Sequence, residues 1–259
     1  MNMRHYGLDL TVTREPMGFV YGEGVSGPSP ELRRLDDIRK SLKDPQCSGP
    51  ETVYSIAMDV RKEEHRALLE QKMLLFGVVT YAAGKLGNEP VRSQGHIHAI
   101  SPHCGCSTPE VYEIWEGKAI VYMQETAQDN PGRCFAVEAW AGDVVIVPPN
   151  WAHATVNADP TRPMTFGAWC DRQYGFEYAD VRRHGGLAWF PEVEADGSIS
   201  WHRNEAYEPS KLIVKAPEAY TQLQLDGTPI YRQFEQHPDR FDFVPYPDKV
   251  QSVWENFTP

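Results

Sequence analysis

From Leu74 onward the chain breaks into short apolar runs separated by Gly, Pro, Asn and Asp, and this texture constrains the fold more than any other feature. The runs cover residues 74–81, 91–100, 110–115, 119–125, 135–139, 143–147, 153–157 and 164–169. Strands of this length, punctuated by turns such as Asp129-Asn130-Pro131-Gly132, predict an all-β barrel or double-sheet jelly roll. Residues 1–73 read as a turn-rich N-terminal extension with one helix over about 29–43. There Ser29-Pro30-Glu31 opens a stretch with Leu32, Leu35 and Ile38 at helical spacing. The charged stretch 63–75 reads as a helix, or as a helix running into a strand. Residues 191–259 form a C-terminal extension, and from about 206 they carry prolines and aromatics without periodicity, predicting irregular packing around the barrel. With no repeat or linker in between, 1–259 reads as one domain with its barrel core over about 74–190.

Two short segments carry the chemistry. In Gly95-His96-Ile97-His98 the imidazoles stand two apart, so on a strand they point to one side. Glu110 opens the strand that follows, and His153, after Pro148-Pro149-Asn150-Trp151-Ala152, opens a later one. Three imidazoles and one carboxylate suit a divalent first-row metal and leave room for substrate oxygens or water on a six-coordinate ion. Iron(II) is the first expectation, with manganese, nickel and zinc also fitting the donor set. Glu110 is followed after six residues by Gly117, and Glu113 on the same run is a rival carboxylate.

Composition narrows the partners. The chain has 25 Lys and Arg against 36 Asp and Glu, a formal charge of -11, which disfavours nucleic acid while leaving room for a local phosphate pocket. Lys85 and Arg92 flank the approach to the histidines and are placed to attract such a phosphate. No apolar run is long enough to span a membrane and the N-terminus lacks a signal-type core, so a cytoplasmic protein without membrane partners is expected. The five cysteines are odd in number and irregularly spaced, which predicts thiols rather than a disulfide framework. Cys104-Gly105-Cys106 beside His103 reads as a loop with incidental thiols. Exposed barrel edges and the frequency of two-fold oligomers predict a homodimer.

The pattern Gly95-His96-Ile97-His98 … Glu110-(x6)-Gly117, then Gly142-(x5)-Pro148-x-Asn150-x2-His153-x3-Asn157, resembles the two signature motifs of the cupin superfamily. Pro90 and Asn150 stand where those motifs usually carry glycine, and residues 101–108 lengthen the gap between His98 and Glu110. The runs Ala83-Gly84-Lys85-Leu86-Gly87, Ser93-x-Gly95, Glu110-Val111-Tyr112 and Val147-Pro148-Pro149-x-Trp151-Ala152-His153-x-Thr155-Val156-Asn157 resemble, more narrowly, the cupin-type glucose-6-phosphate isomerase family, over roughly residues 30–205. This resemblance implies a metal-dependent aldose–ketose isomerase acting on glucose 6-phosphate and fructose 6-phosphate. It implies that His96, His98, Glu110 and His153 hold the metal and that Ser93 and Gly95 lie near the sugar phosphate. Tyr112, with Lys85 and Tyr178, completes the expected substrate contacts. Glu110 is the candidate base for a cis-enediolate route, with Tyr112 orienting a hydroxyl. Cys170, Phe176 and Val79 depart from the family's tyrosine, histidine and threonine. The same scaffold also hosts iron dioxygenases and non-enzymatic sugar-phosphate binders, so these stay open at this point.

Overall fold

The computed structural model describes residues 1–259. Two sheets face each other, and a two-stranded ribbon lies apart from them. The strands, in chain order, are β1 (Glu31–Arg34), β2 (Thr52–Met58), β3 (Leu74–Tyr81), β4 (Ile97–His98), β5 (Glu110–Glu116), β6 (Lys118–Gln124), β7 (Cys134–Trp140), β8 (Val144–Val147), β9 (Ala152–Asn157), β10 (Met164–Asp171), β11 (Phe176–Glu177) and β12 (Leu212–Lys215). The ribbon is β4 with β11. The first sheet runs β8-β5-β10-β3-β2-β1, antiparallel throughout, and the second runs β9-β6-β7-β12, with β12 parallel to β7. This is the all-β jelly roll that the strand pattern predicts, and its middle strands match the sequence reading to within two residues at each end.

Strands β3, β5 and β10 are buried on both faces, and two separate cores explain why. Between the sheets lie Leu75, Val79, Tyr112, Ile114, Val121, Met123, Phe135, Phe166 and Ala168. On the outer face of the first sheet, Phe76, Val111, Trp115 and Trp169 pack against both chain ends, through Leu8, Leu10, Tyr231, Phe234 and Phe241. The outer face of the second sheet is covered by residues 187–207, including Trp189, Trp201 and Tyr207. Gly167 sits where these layers touch most closely: a Cβ there would lie 2.4 Å from Trp115 and 2.5 Å from Phe76. No helix is long and apolar enough to cross a membrane, and all five cysteines are free.

Three expectations need correction. The helix over 29–43 shrinks to Leu35–Ile38, because residues 31–34 instead pair with β2 as the edge of the first sheet. The open edge of β2 outweighs the local helical spacing, and Asp37 closes the short helix by accepting the Arg34 amide at 2.8 Å. The strand over 91–100 is reduced to β4 and two single bridges, Arg92 to Val156 and His96 to His153. Gly95 breaks the ladder with φ +87, where a side chain would strike Leu187. The C-terminal extension is more regular than its composition suggests: it supplies a hairpin (Trp189–Val193 with Ile199–Arg203), β12 and the helix Ile230–Gln236. Two N-terminal features were not anticipated, the hairpin Leu10–Arg14 with Met17–Tyr21 and strand β2.

Candidate metal centre and pocket

The site lies between the sheets because its residues come from both. Glu110 begins β5 in the first sheet, paired to Val147, and His153 lies on β9 in the second. The 96–98 segment is fastened to β9 through reciprocal backbone bonds between His96 and His153 of 3.0 and 2.9 Å, and to β11 through His98 opposite Phe176. One ligand atom from each of His96, His98, Glu110 and His153 falls within 4.8 Å of the others. Glu110 Oε2 is 3.2 Å from His98 Nε2 and 3.6 Å from His153 Nε2.

The ring orientations suit a metal. His98 Nδ1 donates to the Thr108 carbonyl at 2.8 Å and His153 Nδ1 to the Trp151 carbonyl at 3.2 Å, which turns each Nε2 lone pair inward. The buried Nε2 atoms of His96 and His153 have no hydrogen-bond partner in the protein. Burial, followed by the nearby imidazoles of His153 and His98, holds His96 well below the ordinary imidazole range, so its ring is neutral. Buried, neutral, unpartnered nitrogens grouped around a carboxylate are what a divalent ion requires, and the residues fit one.

A pocket opens beside these donors. Its lining includes Arg33, Tyr54, Ser93, Gln94, His96, Glu110, Tyr112, Thr155, Phe176 and Tyr178. The Tyr112 hydroxyl donates to Glu110 Oε2 at 2.7 Å, and the Phe176 ring packs edge-on against His96 at 4.4 Å between centroids. Of the residues singled out from the sequence, Ser93, Tyr112 and Tyr178 therefore line the pocket together with His96 and Glu110. Gly95 shapes the turn leading to His96. The Ser93 hydroxyl accepts the Thr155 amide at 3.0 Å, tying the pocket wall to β9.

Lys85 does not reach this place: it is exposed on a separate two-residue strand outside the lining. Arg92 is buried and fully engaged, with Glu89 at 2.6 Å, the Ser41 carbonyl at 2.6 Å and the Ser93 carbonyl at 2.9 Å, so it braces the wall. The cation in the lining is Arg33, half-buried on edge strand β1. Alternation of Glu31 and Arg33 along a strand was the signal that could have found it; a helical reading of 29–43 hides it. The lengthened loop contributes no residue to the pocket lining. Its His103 is held by Ser101 Oγ at 2.8 Å and donates to the Pro245 carbonyl at 3.0 Å, joining the loop to the C-terminal extension.

A family model described as glucose-6-phosphate isomerase matches residues 35–210, about two thirds of the sequence. The chain belongs to the glucose-6-phosphate isomerase family. Among curated members, the glucose-6-phosphate isomerase of Thermococcus litoralis is 26% identical over 167 residues, covering 62% of this chain and 80% of that protein. The Pyrococcus horikoshii enzyme of the same name is 29% identical over 181 residues, covering 66% and 87%. Among solved structures, the Bacillus subtilis oxalate decarboxylase at pH 4.6 aligns over 48% of this chain and 27% of that one, at 20% identity and a TM-score of 0.33. The fold is therefore assigned from sheet topology. The family match ends at residue 210, so β12 and the helix Ile230–Gln236 lie beyond it.

Proposed function

We propose that this protein is a metal-dependent isomerase that interconverts glucose 6-phosphate and fructose 6-phosphate. The observation that carries the reading is the convergence of His96, His98, His153 and Glu110 beside a pocket whose lining holds a single guanidinium, that of Arg33. Family membership supports the same substrate pair.

A divalent ion held by these four residues would supply Lewis-acid polarisation of a sugar carbonyl. The chain's own groups supply the rest. Arg33, with the hydroxyls of Tyr54 and Tyr178 beside it, binds and orients the phosphate end. Glu110 shares that lining, and its carboxylate takes the proton from C2 of the aldose and returns it to C1. Tyr112, bonded to Glu110 Oε2, fixes the carboxylate and presents its ring to the sugar. Phe176 and Phe166 give the pocket an apolar wall. Iron(II) is the proposed ion, with manganese, nickel or zinc as alternatives that suit three nitrogens and an oxygen.

A coupled assay tests the reading: fructose 6-phosphate in, glucose 6-phosphate out, with chelator abolishing turnover and added metal restoring it. Absence of turnover in fully metallated protein would sink it, and oxygen uptake in its place would favour dioxygenase chemistry. We also propose a homodimer. Edge strand β12 exposes Ile213 and Val214, the kind of edge that a second copy covers, and light scattering reads the mass directly.

A further inference from the structure

The geometry points to Cys170 as a positioning residue for Glu110, an assignment that rests on the isomerase reading above. Even-numbered residues of β10 face the space between the sheets, and β10 lies directly beside β5, with Val111 opposite Trp169 and Tyr112 opposite Ala168. Cys170 continues that face next to Glu110, and its thiol donates to Glu110 Oε1 at 3.1 Å.

The two carboxylate oxygens are thus served by different groups. Oε2 receives the Tyr112 hydroxyl at 2.7 Å and faces the Nε2 atoms of His98 and His153 at 3.2 and 3.6 Å. Oε1 receives the thiol and no other hydrogen bond. Both residues are buried. One donor on each oxygen fixes the carboxylate plane, and the Cys170 thiol is what stops it turning about the end of the Glu110 side chain. A thiol suits this task. It is a weak donor, so it orients Oε1 without quenching its basicity, and its sulfur is also a weak acceptor that tolerates a proton arriving on that oxygen. A cysteine serving only as core filling would need none of this alignment.

Two measurements on the full-length protein test the assignment. Infrared difference spectra, wild type minus Cys170→Ser, isolate the Cys170 S–H stretch in a region clear of other protein bands. Donation to a carboxylate places that band below the frequency of an unbonded thiol, and Glu110→Gln moves it upward. In steady-state kinetics, Cys170→Ala lowers kcat about tenfold with KM unchanged, the loss expected for one positioning hydrogen bond. Cys170→Ser, which keeps a donor, recovers most of that loss, and thermal melts of both variants establish that each is folded. A wild-type S–H band at the unbonded frequency overturns the assignment, as does an unchanged kcat in Cys170→Ala. Metallated wild-type protein without turnover would sink the isomerase reading, whereas the infrared band reports on the hydrogen bond by itself.

Discussion

The Glu113 carboxylate accepts the backbone amide of Ile230 at 3.2 Å, joining strand β5 to the first turn of a C-terminal helix 117 positions away. Its other oxygen accepts Trp115 Nε1 at 2.8 Å. Glu113 therefore faces the outer core, opposite to Glu110 on the same strand, and it fastens the C-terminal extension to the barrel.

Burial raises the Glu113 pKa to about 8 against the pull of those two hydrogen bonds. A raised native value means that the folded state holds this proton more tightly than the unfolded chain does. The stabilisation is fully present below the ordinary carboxylate range and is lost as pH rises through about 8. The unfolding free energy from urea titrations should therefore decline between about pH 5 and 8 by an amount on the order of a few kcal/mol. Glu113→Gln should flatten that decline, and an identical slope in the variant would count against this placement.

Replacing a metal donor separates the site from its surroundings. His153→Ala should lower metal affinity by more than the roughly 10–100-fold that loss of an outer hydrogen-bond partner costs. His103→Ala should keep its metal, since that ring is bonded to Ser101 and Pro245. Metal content by elemental analysis after dialysis gives the answer, and equal retention in both variants would contradict the site as drawn.

Metal binding should also stabilise the fold, because the unfolded chain does not bring the four donors together. At about 100 times the dissociation constant the gain is about 2.7 kcal/mol, or roughly 5–10 °C in melting temperature for a chain of this size. Scanning fluorimetry with and without chelator measures it. His153→Ala should show little of the rise.

The pocket cation is open to a direct comparison. Arg33→Met should raise KM for the sugar phosphate by about 10- to 100-fold, the range for loss of a charge-assisted hydrogen bond, with a smaller effect on kcat. Lys85→Ala should leave both unchanged. The reverse result would restore the phosphate role that the sequence suggested for Lys85.

Gly167 offers a test of the layered core. Gly167→Ala places a methyl against Trp115 and Phe76, both buried, at distances that force one ring to move. Overpacking of this kind costs about 1–3 kcal/mol, read as a lowered urea midpoint. An unchanged midpoint would mean the aromatic layer yields more easily than its contacts imply.

The donors were legible in the sequence because their signal is local. His96 and His98 share a side by strand alternation, and Glu110 and His153 each open an apolar run. Arg33 was not, because its place depends on β1 pairing with β2 and on β2 pairing with β3, contacts set by the whole sheet. The covering layers were half visible. Residues 74–81 are almost unbroken in apolar character, a pattern of strands buried on both sides, and that predicts material packed outside the barrel without saying that the two chain ends provide it. Cys170 and Glu113 look alike in sequence, as polar side chains inside apolar strands. Only the direction each side chain takes separates a neighbour of the metal donors from an anchor of the C-terminus.

The loop from Ala99 to Pro109 has a consequence for how this barrel can change by insertion and deletion. His98 is held by β11 and by the Thr108 carbonyl at the far end of the loop, His96 by His153 and Glu110 by Val147, so the donors need Thr108 in place but not a fixed length of chain before it. Such a loop can gain or lose residues while the donor set stays in place. A single residue added between Glu110 and Glu113 would do the opposite, turning one of the two carboxylates to the other face of β5 and costing the barrel either an ion's ligand or a tryptophan's partner.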